Sequence, residues 1–134
     1  LKFPREFYYT KDKYSFGTQG TFFRSRYTST QKEKIPSEYS KKYAAIIRDY
    51  LNEFLDFPEL DWSLVNKNLS PAEYAEFIRK EWGLEENPII DVMNLLEEKG
   101  FVVTTVSNQS DKVDAFSSSV SINGNKYFVM FAKV

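Results

Sequence analysis

A chain of 134 residues with no histidine and no cysteine lacks the ligands and nucleophiles of a zinc or thiol active site, and it forms no disulfide. With 42% hydrophobic and 17% aromatic residues, among them 12 Phe and 9 Tyr, it is far from the composition of disordered chains and long enough to bury a core. The net charge of −1 is unevenly laid out: residues 1–50 hold 11 Lys/Arg against 5 Asp/Glu, and residues 51–134 hold 7 against 14. Such asymmetry marks either a nucleic-acid-facing end or two mutually attracting halves of one globule.

The opening residues show no charged segment running into an apolar one, and the longest apolar run, Tyr127 to Ala132, is far too short to span a bilayer. No membrane association is expected, and the lack of cysteine fits a cytoplasmic protein. The chain starts at Leu1 rather than Met and stops inside a strand-like run, so it is expected to be a piece of a longer protein.

Residues 1–34 are aromatic and basic without helical periodicity, and Gly17 and Gly20 suit a turn or bulge between short β segments. This N-terminal arm is set apart from residues 35–134. From Ser37, the residues Tyr39, Tyr43, Ile46, Ile47, Tyr50 and Phe54 recur at helical spacing, so they are expected to form the core-facing stripe of a helix of about five turns. Pro36 suits its first turn and Phe57-Pro58 its end. Ser70-Pro71-Ala72-Glu73 is a capping box that starts a second helix, closed by Gly83. A third is expected to start at Asn87-Pro88 and end at Gly100.

The pattern then switches to period two. Phe101 to Val106 and Val113 to Ile122 read as strands, and Asn123-Gly124 is a hairpin turn into a partner strand, Lys126 to Lys133. The fold class expected is α+β: three helices packed on a small, mainly antiparallel sheet, with an N-terminal β arm.

Chemistry is sparse. Asp56, Glu59 and Asp61 lack the spacing of a calcium loop, and no glycine-rich phosphate cradle exists. Ser117, Ser118, Ser119 and Ser121 have no histidine base, which leaves a serine–lysine pair as their one catalytic reading. Arg24 and Arg26, beside Phe22, Phe23 and Tyr27, are candidate nucleic-acid contacts if the aromatics stack on bases; otherwise they are the solvated face of a strand.

Six segments in order, Leu1-Lys2-Phe3-Pro4 with Phe7-Tyr8, Phe22-Phe23-Arg24-Ser25, Leu55-Asp56-Phe57-Pro58, Trp82-Gly83-Leu84 with Pro88-Ile89, Leu95-Leu96-Glu97-Glu98-Lys99-Gly100, and Asp114-Ala115-Phe116-Ser117, give the chain a likeness across nearly its whole length. It resembles the ImmA/IrrE family of phage and mobile-element regulatory metallopeptidases, especially members with a helix-turn-helix. In such proteins a strand like Lys126 to Val134 precedes the helix bearing the HExxH zinc motif. The resemblance implies a DNA-binding domain upstream of Leu1, and zinc ligands with a general-base glutamate downstream of Val134. No catalytic or metal residue is carried over to this sequence. The implied function is scaffold and partner recognition in a zinc-dependent regulator, with a repressor as protein partner. The backbone of Tyr127, Phe128, Val129, Met130 and Phe131 is then the candidate edge where a partner adds as a strand. The alternative is a non-enzymatic protein- or DNA-interaction module. Self-association through an uncovered sheet face or edge is also expected.

Overall fold

Helix α2 (Pro71–Glu81) begins where local chemistry dictates. The Ser70 hydroxyl accepts from the Glu73 amide at 3.4 Å, and the Glu73 carboxylate accepts from the Ser70 amide at 2.9 Å. It ends in a left-handed glycine: Gly83 has φ +68°, and its amide and that of Leu84 close on the Lys80 and Arg79 carbonyls. In the computed structural model, which describes residues 3–9, 11, 14–25, 31–65, 68–105 and 113–132, this is the middle of three helices.

The other two are α1 (Gln31–Leu51) and α3 (Val92–Glu98), and with the strands β1 (Phe16–Ser25), β2 (Val102–Thr105), β3 (Val113–Ile122) and β4 (Asn125–Ala132) they make an α+β fold. The sheet order among the described residues is β1-β3-β4-β2. The β1–β3 and β3–β4 ladders are antiparallel, and β2–β4 is parallel. The β3–β4 hairpin turns on Asn123 (φ 50°) and Gly124 (φ 92°), the pair of positive φ angles that a two-residue turn requires.

The expected N-terminal β segment is present as β1, an outer strand of the main sheet, with a bulge between Thr18 and Thr21 where Gly20 lies. Two boundaries differ from the sequence reading. Helix α1 starts at Gln31, so it crosses the 34/35 division and holds Pro36 inside, and it ends at Leu51 in a looser turn rather than at Pro58. Helix α3 starts four residues later than Pro88, because Asp91 accepts from the Asn94 amide and so caps there instead. Arg79 meanwhile holds the preceding segment out of helix by donating to the Glu85 and Asn87 carbonyls.

The core lies between α1 and one face of the sheet. Phe116, Val120, Ile122, Tyr127, Val129 and Phe131 share that face, with the Phe116 and Phe131 rings stacked at 4.4 Å, and Ala45 closes it from the helix. On the opposite face Phe128 packs edge-on to Phe101 (5.4 Å) and beside Trp62 (6.4 Å), and Phe101 in turn meets Trp82. The residue just after α2 is thereby pinned to the sheet through an aromatic chain.

Helix α1 reverses the face expected for it. Its buried stripe is Ser37, Lys41 and Ala45; of the residues expected to face the core Ile46 packs against it, while Tyr39, Tyr43, Ile47, Tyr50 and Phe54 are each more than half exposed. Small residues let the helix backbone approach the sheet, which a row of tyrosines would hold away. Lys41 finds partners there: its Nζ donates to Thr21 Oγ1 (2.6 Å) and pairs with Glu38, which also accepts from Thr21 (2.8 Å), whereas the buried Ser37 hydroxyl has none among the described residues.

Candidate functional site

The strand singled out for partner addition lies inside the sheet. Val129, Met130 and Phe131 are flanked by β3 on one side and β2 on the other, so their backbone has no free edge. Tyr127 and Phe128 pair with Ser119 and Val120 of β3, and Trp62 lies beside Phe128. The reading of this run as an edge is therefore corrected for Val129 to Phe131: parallel pairing with β2, a non-local event that alternation in sequence does not reveal, puts them inside the sheet. Among the described residues the outer strands are β1 and β2.

Beside the β2 edge runs an apolar cleft of about 540 Å³. Its walls are Ala44, Ile47, Arg48 and Leu51 of α1, Phe57 and Pro58 of the following turn, and Phe101 to Thr104 along the strand, with Glu97 and Glu98 at its rim. The edge and cleft are held in register by Gly100. Its φ of +87° completes the α3 cap, with the Gly100 amide on the Glu97 carbonyl and the Phe101 amide on that of Leu96. It also lets the chain pass hard against the backbone of Glu59 and Leu60. An edge strand offers unpaired amides and carbonyls, and an adjoining apolar groove takes every second side chain of a segment added to it.

At the end of α1 nearest the hairpin lies a polar cleft of about 400 Å³. The Arg48 guanidinium lies over the Phe57 ring at 4.2 Å and donates to Asn52 Oδ1 and to the Pro58 carbonyl, both at 2.9 Å. Burial lowers its pKa from the ordinary arginine value. The Tyr127 hydroxyl donates to Asp49 at 2.7 Å and accepts from Asn52 at 3.0 Å, and Asn125 donates to the same Asp49 oxygen at 2.8 Å. Burial first, and then the Asp49 hydrogen bond, push the phenol up to about 12. Arg48, Asp49, Asn52, Asn125 and Tyr127 are thus bonded to one another or to the Pro58 carbonyl, and this network ties α1 to the hairpin.

The serine run comes near a lysine. Ser118 is buried, with its hydroxyl 3.4 Å from that of Thr21, which accepts from Lys41 and gives its proton to Glu38. A lysine base needs a free amine, whereas Lys41 is locked in its ion pair with Glu38, so the cluster reads as structural. Burial opposes ionisation of Glu38, but hydrogen bonds from Lys41 and Thr21 and the charges of Lys41 and Lys42 hold its carboxyl below the usual range.

Asp61 caps a short 3-10 helix, Trp62–Leu64, by accepting from the Ser63 amide. Among the described residues no group of three or more His, Cys, Asp or Glu is placed to hold a metal, and no helix is long and apolar enough to cross a membrane. Arg24 falls on β1 opposite Ala115, but its side chain and the whole of Arg26 lie outside the described residues.

Sequence reasoning missed the cleft because its walls come from three separate places in the chain. Phe57-Pro58 signalled only a helix end, and Val102 to Thr105 only a strand. No protein-family model, no curated protein and no solved structure matches this chain.

Proposed function

We propose that the chain is a non-catalytic recognition domain that takes an extended segment of a partner protein along the outer edge of β2. The observation that carries this is the edge strand running beside an apolar cleft of about 540 Å³ with Glu97 and Glu98 at its rim. Arg48 also lines the cleft but is already bonded to Asn52 and the Pro58 carbonyl, so Glu97 and Glu98 select a segment in which basic residues alternate with apolar ones. The ImmA/IrrE-like motifs support a setting for that recognition within a zinc-dependent cytoplasmic regulator acting on a repressor.

The test is a titration of the labelled chain with two capped hexapeptides, (Lys-Val)3 and (Glu-Val)3, followed by backbone amide resonances. The lysine peptide is expected to shift Val102 to Thr105 and the glutamate peptide to leave them in place. Glu97→Lys with Glu98→Lys is expected to reverse that order. Silence of the β2 amides with both peptides, or an unchanged preference in the double variant, removes the proposal.

A further inference from the structure

Four charged side chains line the polar cleft of about 400 Å³ at the hairpin end of α1, and they balance: Arg48 and Lys126 against Asp56 and Glu59. Among the described residues none of the four stands in an ion pair. Opposite charges that share a cleft yet stay unpaired leave both signs open to a ligand. A cleft of this size suits a small molecule, on which a few polar groups converge.

Arg48 fixes the anion end. Its guanidinium is half-buried over the Phe57 ring, and the bonds to Asn52 Oδ1 and the Pro58 carbonyl set its plane. Asn52 lines the polar cleft and not the apolar one, so the head is drawn to the polar side. These bonds use two of the five N–H donors of a guanidinium, and a cation taken partly out of water without a carboxylate gains most from an anionic ligand. Lys126 adds a second positive charge, held 4.0 Å over the Trp62 ring.

The opposite charge lies close by in the chain. Pro58, whose carbonyl anchors the guanidinium, stands two residues after Asp56 and directly before Glu59, and both acids are exposed. The cleft therefore sets an anion-binding fork beside the segment that carries two carboxylates. That short separation matches a molecule whose carboxylate and ammonium sit on one carbon. Its two ends use all four charges, which leaves an uncharged side chain, with Leu55 and Leu60 as apolar neighbours in the lining.

We propose that this cleft binds a free α-amino acid with an uncharged side chain, its carboxylate held by Arg48 and Lys126 and its ammonium by Asp56 and Glu59. The site goes beyond strand addition at β2 and does not depend on it, since none of Val102 to Thr105 lines this cleft.

The test is a titration of the labelled chain with L-leucine and L-glutamine, followed at the backbone amides of Asn52, Asn125 and Lys126 and the side-chain amides of the two asparagines. At least one of the two is expected to give saturable shifts there at millimolar concentration, with Val102 to Thr105 unmoved. The N-acetyl derivative of the binder, which keeps only the anion, and its carboxamide, which keeps only the cation, should each bind more than about tenfold more weakly. Arg48→Gln should abolish binding, and Glu59→Gln should weaken it roughly threefold to tenfold. Circular dichroism of each variant separates a lost site from a lost fold, and the blocked ligands probe the unaltered chain. The proposal is overturned by the absence of saturable shifts with both amino acids, by a blocked ligand that binds as tightly as its parent, or by a folded Arg48→Gln chain that binds unchanged.

Discussion

Replacing Gly100 by alanine tests how closely the α3 cap and the Glu59–Leu60 backbone are fitted together. A Cβ there would stand 2.3 Å from the Leu60 nitrogen, 2.4 Å from the Glu59 carbonyl carbon and 2.9 Å from its oxygen, all backbone atoms with no rotamer to swing away. The left-handed φ costs an alanine about 1–2 kcal/mol, and forcing the two chain segments apart adds about 1–3 kcal/mol, so a loss of about 3 kcal/mol is expected. Gly83 is the internal control. It closes α2 with the same pair of capping bonds and a φ of +68°, but open space surrounds its would-be Cβ, so Gly83→Ala should lose only about 1 kcal/mol. Urea unfolding followed by circular dichroism measures both, and in melting temperature the losses correspond to roughly 12 °C and 4 °C. Equal losses at the two glycines would refute the close approach of Gly100 to Glu59 and Leu60.

Tyr127→Phe removes the hydroxyl shared by Asp49 and Asn52 and should cost about 1–2 kcal/mol at neutral pH. Because folding raises this phenol from 10.0 to about 12, its contribution is fully present below pH 10 and is lost as pH climbs toward 12; alkaline unfolding curves of the variant should lack that component. Glu38→Gln leaves the buried Lys41 ammonium without its counter-charge and should destabilise by about 2 kcal/mol. Folding lowers the Glu38 pKa, so its contribution is present above the ordinary glutamate range and is lost as pH falls below it; an acid-unfolding midpoint identical in the variant and the parent chain would contradict this.

Local signals in the sequence were sufficient wherever a structure is made by neighbours. The Ser70 capping box, the Gly83 and Gly100 stops and the Asn123-Gly124 hairpin all depend on residues within a few positions, and all are found where the chemistry puts them. What depends on distant partners was not legible. The orientation of α1 is decided by Thr21, 20 residues before Lys41, which gives that lysine a polar partner beneath the helix. Helical periodicity alone took the tyrosine face as the core. The position of β4 is likewise settled by the parallel ladder from Val102↔Val129 to Thr105↔Ala132, for which the sequence carries no adjacent mark. The cleft beside β2 inherits both features, since one wall is the reoriented helix and the other is the edge left by that ladder.

The sheet also imposes a timetable on synthesis. β3 and β4 are joined by a two-residue turn and can zip together as soon as both leave the ribosome, whereas Thr21 and Ser118, neighbours on the β1–β3 ladder, stand 97 positions apart. β1 must therefore wait for β3 before its inner edge is satisfied, and the nascent chain carries it without that partner while the intervening residues are made.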